Sequence, residues 1–485
     1  MVKRKKVWIA GILVSAVFVS CLLLSAKDKS AEIDEFMSKC HEYRLFNGTV
    51  LVAEHGKVVY KKSFGPANRE WNVPNTADTK YIIGSISKQF TAMLVLQLVN
   101  EGKLGLNDTI SKHLPYFPKE KGEKITIHHC LCHTSGYPST PNIPGWYTEH
   151  WYKEYSTEEL IKLVSKQELL FEPGSGWEYS NPGYYFLAGI LEKVTGQPYE
   201  KLLKERIFMP LGMKDSGFYD VYEILPKMAS PYEYWNFRFS RSQYMNPTSS
   251  KGAGCIYSTA GDMYKWDQAL YTEKLLPREY VELMLKPQKK IRPSASYAYG
   301  WVVGERMVPG TGRRIKYAEH SGGQPGFNCL NLRLLDDKHL ILLFNNTGYT
   351  DLRLISGELV KILYGQPWEV SQPISLALDG CKDLEEIKAV IREYEKSPSQ
   401  YAIRRDAVNG LGFKLMLEKK QDAGLEILEF NARRFSDSHW VYESLAEAYS
   451  MAGRKEQAVQ NLEKLLELDP KNSWGQRKLK ELTKK

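Results

Sequence analysis

The chain carries no phosphate-cradling glycine loop and no cofactor-binding motif, so it offers no foothold for nucleotide or organic-cofactor chemistry. Cysteine is sparse for 485 residues: beyond Cys21 there are Cys40, Cys130, Cys132, Cys255, Cys329 and Cys381. Their spacing defines no disulfide framework, although an exported chain has the chance to pair some of them. Strong charge of one sign is missing too. Lys and Arg number 66 against 57 Asp and Glu, and without Lys3, Arg4, Lys5 and Lys6 the balance is 62 against 57. No nucleic-acid footprint fits so small an excess. What remains is a folded composition, 43% hydrophobic and 25% charged, on a chain too long for one hydrophobic core. Two domains are expected.

The N-terminus stands apart. Four basic residues precede an uninterrupted apolar run from Val7 to Ala26, followed by the polar Lys27-Asp28-Lys29-Ser30. A basic segment before an apolar one is an export signal. Residues 1–26 therefore read either as a signal peptide cleaved after Leu24-Ser25-Ala26 or as a retained membrane anchor, since twenty apolar residues can span a bilayer. Val17-Phe18-Val19-Ser20-Cys21 adds lipidation at Cys21 as a third fate, although Leu22-Leu23-Leu24 stays apolar where lipoproteins turn polar. Each places the body of the protein in the periplasm, at the cell surface or on a membrane anchor outside the cytoplasm.

Beyond the leader, residues 31–43 predict an amphipathic helix, and Thr49–Ala53 with Val58–Tyr60 predict a β-hairpin. Ser85 to Asn100 is apolar almost all round, the mark of a core helix. Cys329–Leu335 and His339–Phe344 predict a second hairpin, and a helix from about Asp351 to Tyr364 closes an α/β domain whose sheet pairs its two ends. That domain spans 31–365, and the proline-containing stretch 366–381 reads as a linker. From 382 to 485 the sequence is helical, with a 34-residue period. Leu411-Gly412 and Leu415 answer Leu445-Ala446 and Tyr449, and Gly424 and Leu428 answer Ala458 and Leu462. This spacing resembles tetratricopeptide repeats, which implies an all-α helical repeat domain able to dock a protein partner. Helical hairpins without repeat ancestry are the alternative.

Ser85-Ile86-Ser87-Lys88 opens the core helix. Residues three apart share a helix face, so the serine hydroxyl and the lysine amine meet at the positive end of the helix dipole. A desolvated lysine there can lose its proton and act as a base, and a serine beside it is an activated nucleophile. Alone the pattern is weak, since about two or three chance matches are expected at this length. Two further elements support it: Tyr179-Ser180-Asn181 before an apolar helix, and His320-Ser321-Gly322-Gly323 before the second hairpin. In this order, and with the framework text HTSGYP (His133–Pro138) and HSGGQPGF (His320–Phe327), the chain resembles the serine β-lactamase and penicillin-binding-protein superfamily. The likeness is strongest to its class C branch, which also holds D-peptidases and esterases.

The resemblance implies an antiparallel sheet with an all-helical subdomain, and acyl transfer without metal or cofactor on an ester, a D-amino-acid peptide or a lactam. Ser85 would be the nucleophile, with Lys88 and Tyr179 sharing the base task, and Ser85 and Gly323 would supply the oxyanion N–H groups. Asn181, His320 and Gly322 would contact substrate. A tyrosine base needs its pKa lowered by a nearby cation, which Lys88 can supply. Where β-lactamases carry a lysine this chain has His320, only partly charged near neutral pH, which weakens carboxylate anchoring and favours esterase or D-peptidase action. A slowly acylated sensor, or a scaffold whose repeats bind envelope partners, is the alternative. His128, His129, Cys130, Cys132 and His133 crowd too closely for a usual zinc site and read as packing. The aromatic stretches Trp146–Tyr155 and Tyr232–Phe239 either line the acyl pocket or pack at the surface.

Overall fold

The computed structural model describes residues 28–139, 143–235, 238–348 and 350–484. The leader at 1–26, with Cys21, lies outside them. No described helix is long and apolar enough to cross a membrane. The chain divides into two compact units: residues up to Pro231 with Ser242–Trp368, and Tyr232–Arg241 with Glu369 onward.

The first unit is built on an eight-stranded sheet. In chain order its elements include α1 (Lys29–Glu42), β1 (Gly48–Glu54), β2 (Lys57–Phe64), α2 (Ser87–Asn100), α3 (Asn181–Thr195), α4 (Ala260–Ala269), β3 (Lys289–Arg292), β4 (Ala295–Tyr297), β5 (Val302–Met307), β6 (Arg314–Gln324), β7 (Phe327–Leu334), β8 (His339–Asn345) and α5 (Leu352–Leu363). The order across the sheet is β3-β4-β5-β6-β7-β8-β1-β2, with every pair antiparallel. The expected closure of the two ends is the β1–β8 ladder, from Gly48 opposite Asn345 to Ala53 opposite Leu340. These strands read as continuous apolar runs because both faces are covered. Leu51, Ala53, Leu340, Leu342 and Phe344 join one core with Met263 and Trp266 of α4. The alternate residues Val50, Val52, Ile341 and Leu343 are equally buried and point to the other face, where α1 and α5 pack. Edge strand β2 instead exposes Lys57, Lys61 and Lys62, charges that discourage edge-to-edge association.

The helical part surrounds α2, buried from Ser87 to Leu98, and α3, buried from Pro182 to Leu191. The expected helix from Ser85 differs in its first turn. Gly84–Ile86 form a 3₁₀ turn and the α-helix begins at Ser87. Gly84 is left-handed at φ +53, and a Cβ there would meet the Gly323 nitrogen at 2.7 Å. The close approach of β6 thus tightens the turn that carries Ser85.

In the second unit, part of the expected linker is folded. Ile374–Asp379 forms a short helix, α6, with Ile374 and Leu378 buried against Ile387 and Ile391 of α7 (Leu384–Lys396). Pro373 is the residue before its first turn. Five helices follow: α8 (Arg405–Leu417), α9 (Gln421–Arg434), α10 (His439–Met451), α11 (Lys455–Leu468) and α12 (Ser473–Thr483). The starts of α8 and α10, and of α9 and α11, are each 34 residues apart. Helices α8 and α9 touch where side chains are absent: a Cβ on Gly412 would sit 2.5 Å from Leu428 Cγ, and one on Gly424 2.8 Å from the Gly412 oxygen.

Truncating the buried Leu342 to Ala should cost about 2–5 kcal/mol of stability in the first unit. A urea melt should show the loss as a lower midpoint while turnover per folded molecule is unchanged.

Candidate active site

Three separated segments converge on Ser85. The 3₁₀ turn presents the serine, and Ser87 anchors the next turn by accepting the Ile256 backbone N–H at 3.1 Å. Lys88, in the first turn of α2, is fully buried. Its Nζ lies 3.1 Å from Ser85 Oγ and 2.8 Å from both Asn181 Oδ1 and the Ala253 carbonyl. Two of these partners are oxygens able only to accept, so two N–H bonds are assigned to them. The third direction faces a hydroxyl that can donate. A neutral amine, with two hydrogens and one lone pair, therefore satisfies the whole set with its lone pair on the Ser85 hydroxyl. Electrostatics agree: burial drives the lysine well below its usual range.

The Ala253 carbonyl belongs to a loop whose three successive carbonyls are all engaged. Thr91 donates to Gly252 at 2.6 Å, Lys88 to Ala253, and Gln324 Nε2 to Gly254 at 2.9 Å. Gly252 adopts φ +81, and a Cβ there would meet the Tyr184 oxygen at 2.4 Å. No sequence motif announces this contact, because a backbone carbonyl has no side-chain signature.

Tyr179 and Asn181 sit at the start of α3, with Ser180 as the capping residue. The Tyr179 phenol lines the same cavity as Ser85, and Lys88 Nζ lies 4.9 Å from its ring centre. Burial pushes this phenol up, opposite to the lowering that a standing tyrosinate base requires. With Lys88 neutral, no cation offsets the burial. Tyr179 is thus a protonated group in the resting site.

His320 departs from expectation in the same direction. Burial, reinforced by Lys88, brings it down to about 3, so it is neutral rather than partly charged. Both ring nitrogens are committed to protein: Nδ1 donates to the Ser321 carbonyl at 2.6 Å, which leaves Nε2 to accept the Tyr297 hydroxyl at 2.9 Å. Gly322, expected on the substrate side, faces the other way. A Cβ on it would lie 1.8 Å from the Ile83 oxygen and 3.2 Å from the Ser85 nitrogen, so only glycine lets β6 approach the serine turn. Gly323 is exposed with open space where a Cβ would be. Pairing of β5 with β6 ends at Val302 opposite Glu319, and the segment from His320 onward turns its β5-side edge to a cavity of about 410 Å³. Ser85, Tyr179 and Gly323 line that cavity with Trp177, Arg292 and Arg353, three residues no motif announced.

The other candidates fall outside it. Tyr232–Arg241 belongs to the second unit, and Trp146 joins the hydrophobic core. His128 Nδ1 meets the Tyr299 hydroxyl at 2.7 Å, and the Cys132 thiol donates to the His128 carbonyl at 3.0 Å. All six described cysteines are free thiols. Among the described residues Glu54, His55 and His339 have donor atoms within 4.8 Å of one another. Glu54 is paired with Lys29, however, and His339 Nδ1 accepts the His55 N–H at 3.1 Å, which places the neutral ring's proton on Nε2. This trio does not suit a cation.

Comparison with known proteins agrees with this geometry. The β-lactamase family profile matches residues 31–361. Penicillin-binding protein 4* of Bacillus subtilis is 30% identical over 368 residues, 71% of this chain and 78% of that protein. Teichoic acid D-alanine hydrolase of Staphylococcus aureus is 29% identical over 284 residues, 58% and 67% of the two chains. Among solved structures, the octameric penicillin-binding protein homologue from Pyrococcus abyssi superposes with a TM-score of 0.60 at 28% identity, covering 69% of this chain and 77% of its own.

Two outcomes follow. Because the neutral amine is the competent form, kcat/KM should rise with pH through an ionisation far below 10.5 and then level, and Lys88→Arg should remove that limb along with most activity. His320 should show no titration between pH 5 and 8 in its ring C–H resonances, whereas a shift centred near 6.5 would contradict its neutral burial.

Proposed function

The chain belongs to the β-lactamase family of serine hydrolases, and from the surroundings of Ser85 we propose that it hydrolyses esters or D-aminoacyl bonds through a Ser85 acyl-enzyme. The observation that carries this is the buried Lys88 amine, 2.8 Å from two carbonyl oxygens and 3.1 Å from the serine hydroxyl, a set that a neutral amine satisfies with its lone pair on Ser85. Lys88 takes the Ser85 proton as Oγ bonds to the substrate carbonyl carbon. The carbonyl oxygen, now anionic, is held by the backbone N–H groups of Ser85 and Gly323. Tyr179, protonated and beside Ser85 in the cavity, passes a proton to the departing oxygen or nitrogen and is resupplied from Lys88. Water then attacks the ester, and the same groups return a proton to Ser85 Oγ as the acid departs.

Substrate class follows from charge. The position that holds a lysine in β-lactamases is a neutral histidine turned to Tyr297, which argues against lactam-carboxylate anchoring there. The open β6 edge suits an extended acyl chain, and the teichoic acid D-alanine hydrolase relative favours a D-alanyl group as that chain. The apolar leader supports action outside the cytoplasm. The 34-residue spacing of helix starts supports reading 405–483 as tetratricopeptide-like repeats that dock a protein partner.

Intact-mass measurement with a short-chain ester, a D-alanyl peptide and a penicillin tests the reading. The ester or the D-alanyl substrate should give a Ser85 adduct that lives seconds or less, and Ser85→Ala should lower turnover by at least about 10³-fold. Undiminished turnover in that variant would refute the mechanism. Adducts lasting hours with every probe would make the protein a sensor.

A further inference from the structure

Tyr179 is the least constrained member of the site by its own motif, since it precedes α3 rather than lying in it. Its constraint comes from elsewhere. Both peptide neighbours of Tyr179 are bonded to a single residue, His133: the Glu178 N–H donates to the His133 carbonyl at 3.1 Å, and the Ser180 N–H donates to His133 Nδ1 at 3.1 Å. One residue further on, the Thr134 carbonyl accepts the Gly174 N–H at 2.8 Å. The imidazole lies flat enough against the phenol to bring ring centres within 4.4 Å at a tilt of 43°, and it is the same 4.4 Å from Tyr297, the partner of His320.

Three features show that the protein maintains this arrangement at a cost. His133 is fully buried and sits at φ +62, a left-handed backbone that a non-glycine residue rarely adopts. Because Nδ1 accepts, the neutral ring carries its proton on Nε2, and that buried nitrogen has no hydrogen-bond partner among the described residues. It faces rings instead, with Tyr184 at 5.4 Å and Trp177 at 6.3 Å between centres. A residue needed only to fill space would be apolar and would leave no orphaned polar atom. Burial and the nearby Lys88 also keep this ring uncharged, so it adds no cation beside the amine that must stay neutral.

We infer that His133 is a positioning residue for Tyr179, fixing the phenol beside Ser85 by holding Glu178 and Ser180 and by packing its ring against Tyr179. The inference rests on the acyl-enzyme reading above and adds to it a residue outside the three motifs. The readout is the second-order rate of Ser85 labelling by a fluorophosphonate, which requires no assigned substrate. Labelling of the wild type but not of Ser85→Ala secures the underlying reading, and an inert wild-type serine would remove that reading. His133→Phe keeps a ring and removes the acceptor; it should slow labelling about 10- to 100-fold, and add less than about twofold in a Tyr179→Phe background. His133→Asn places an amide oxygen near the position of Nδ1 and tolerates the left-handed backbone, so it should restore the rate to within about threefold. His133→Gln, without an acceptor at that position, should stay slow. Equal slowing by His133→Phe in both backgrounds would overturn the inference. Should His133→Phe not fold, equal rates for the Asn and Gln variants would overturn it.

Discussion

The burial of one amine organises this site. An ammonium in the place of Lys88 Nζ would have to be desolvated completely, and burial disfavours that charge more strongly than any neighbour restores it. The protein accepts the neutral form and then uses it. Asn181 and Ala253 take the two hydrogens, so the lone pair has one remaining direction, toward Ser85. Everything nearby protects that arrangement. The glycine pair Gly84 and Gly322 lets β6 close on the serine turn, Gly252 lets the carbonyl loop approach α3, and the rings of Tyr179 and Tyr184 cover the amine.

The same burial assigns roles to the other titratable groups. Tyr179 stays protonated because no cation offsets its desolvation, which in the proposed mechanism suits a carrier of protons rather than a standing base. His320 stays neutral for the same reason, and its two nitrogens serve the protein by locking Ser321 and Tyr297. Positive charge in the cavity comes instead from Arg292 and Arg353, the latter 3.6 Å from Glu319. The reacting centre is thus uncharged at rest, and the charged groups lining the cavity are Arg292, Arg353 and Glu319.

Much of this was legible in the sequence, for identifiable reasons. Ser85, Lys88, Tyr179, Asn181 and His320 lie in three short patterns, each weak alone, whose order along the chain carries the family resemblance that suggested them. The β1–β8 closure followed from hairpins at both ends of the domain with helices between them, and the 34-residue period reappears as the spacing of α8 and α10. Other features could not be read. The Ala253 carbonyl is backbone, Tyr297 and Trp177 belong to no motif, and the direction in which Tyr179 and His320 shift depends on burial that a sequence does not display. The packing of Gly322 against the serine turn could not be read either, because a glycine in a motif does not say what its strand lies against. His133 was marked only as framework text and as one of a crowd of metal-type side chains; its hydrogen bonds around Tyr179 exist only in the folded chain.

The chemistry of the site turns on the protonation state of Lys88, and ¹⁵N NMR of the lysine side chains reads it directly, with Lys88→Arg to assign the signal. The expected Nζ resonance has a neutral-amine shift at pH 7 and becomes an ammonium only as the pH is lowered. A Lys88 signal that remains an ammonium through pH 9 would contradict it.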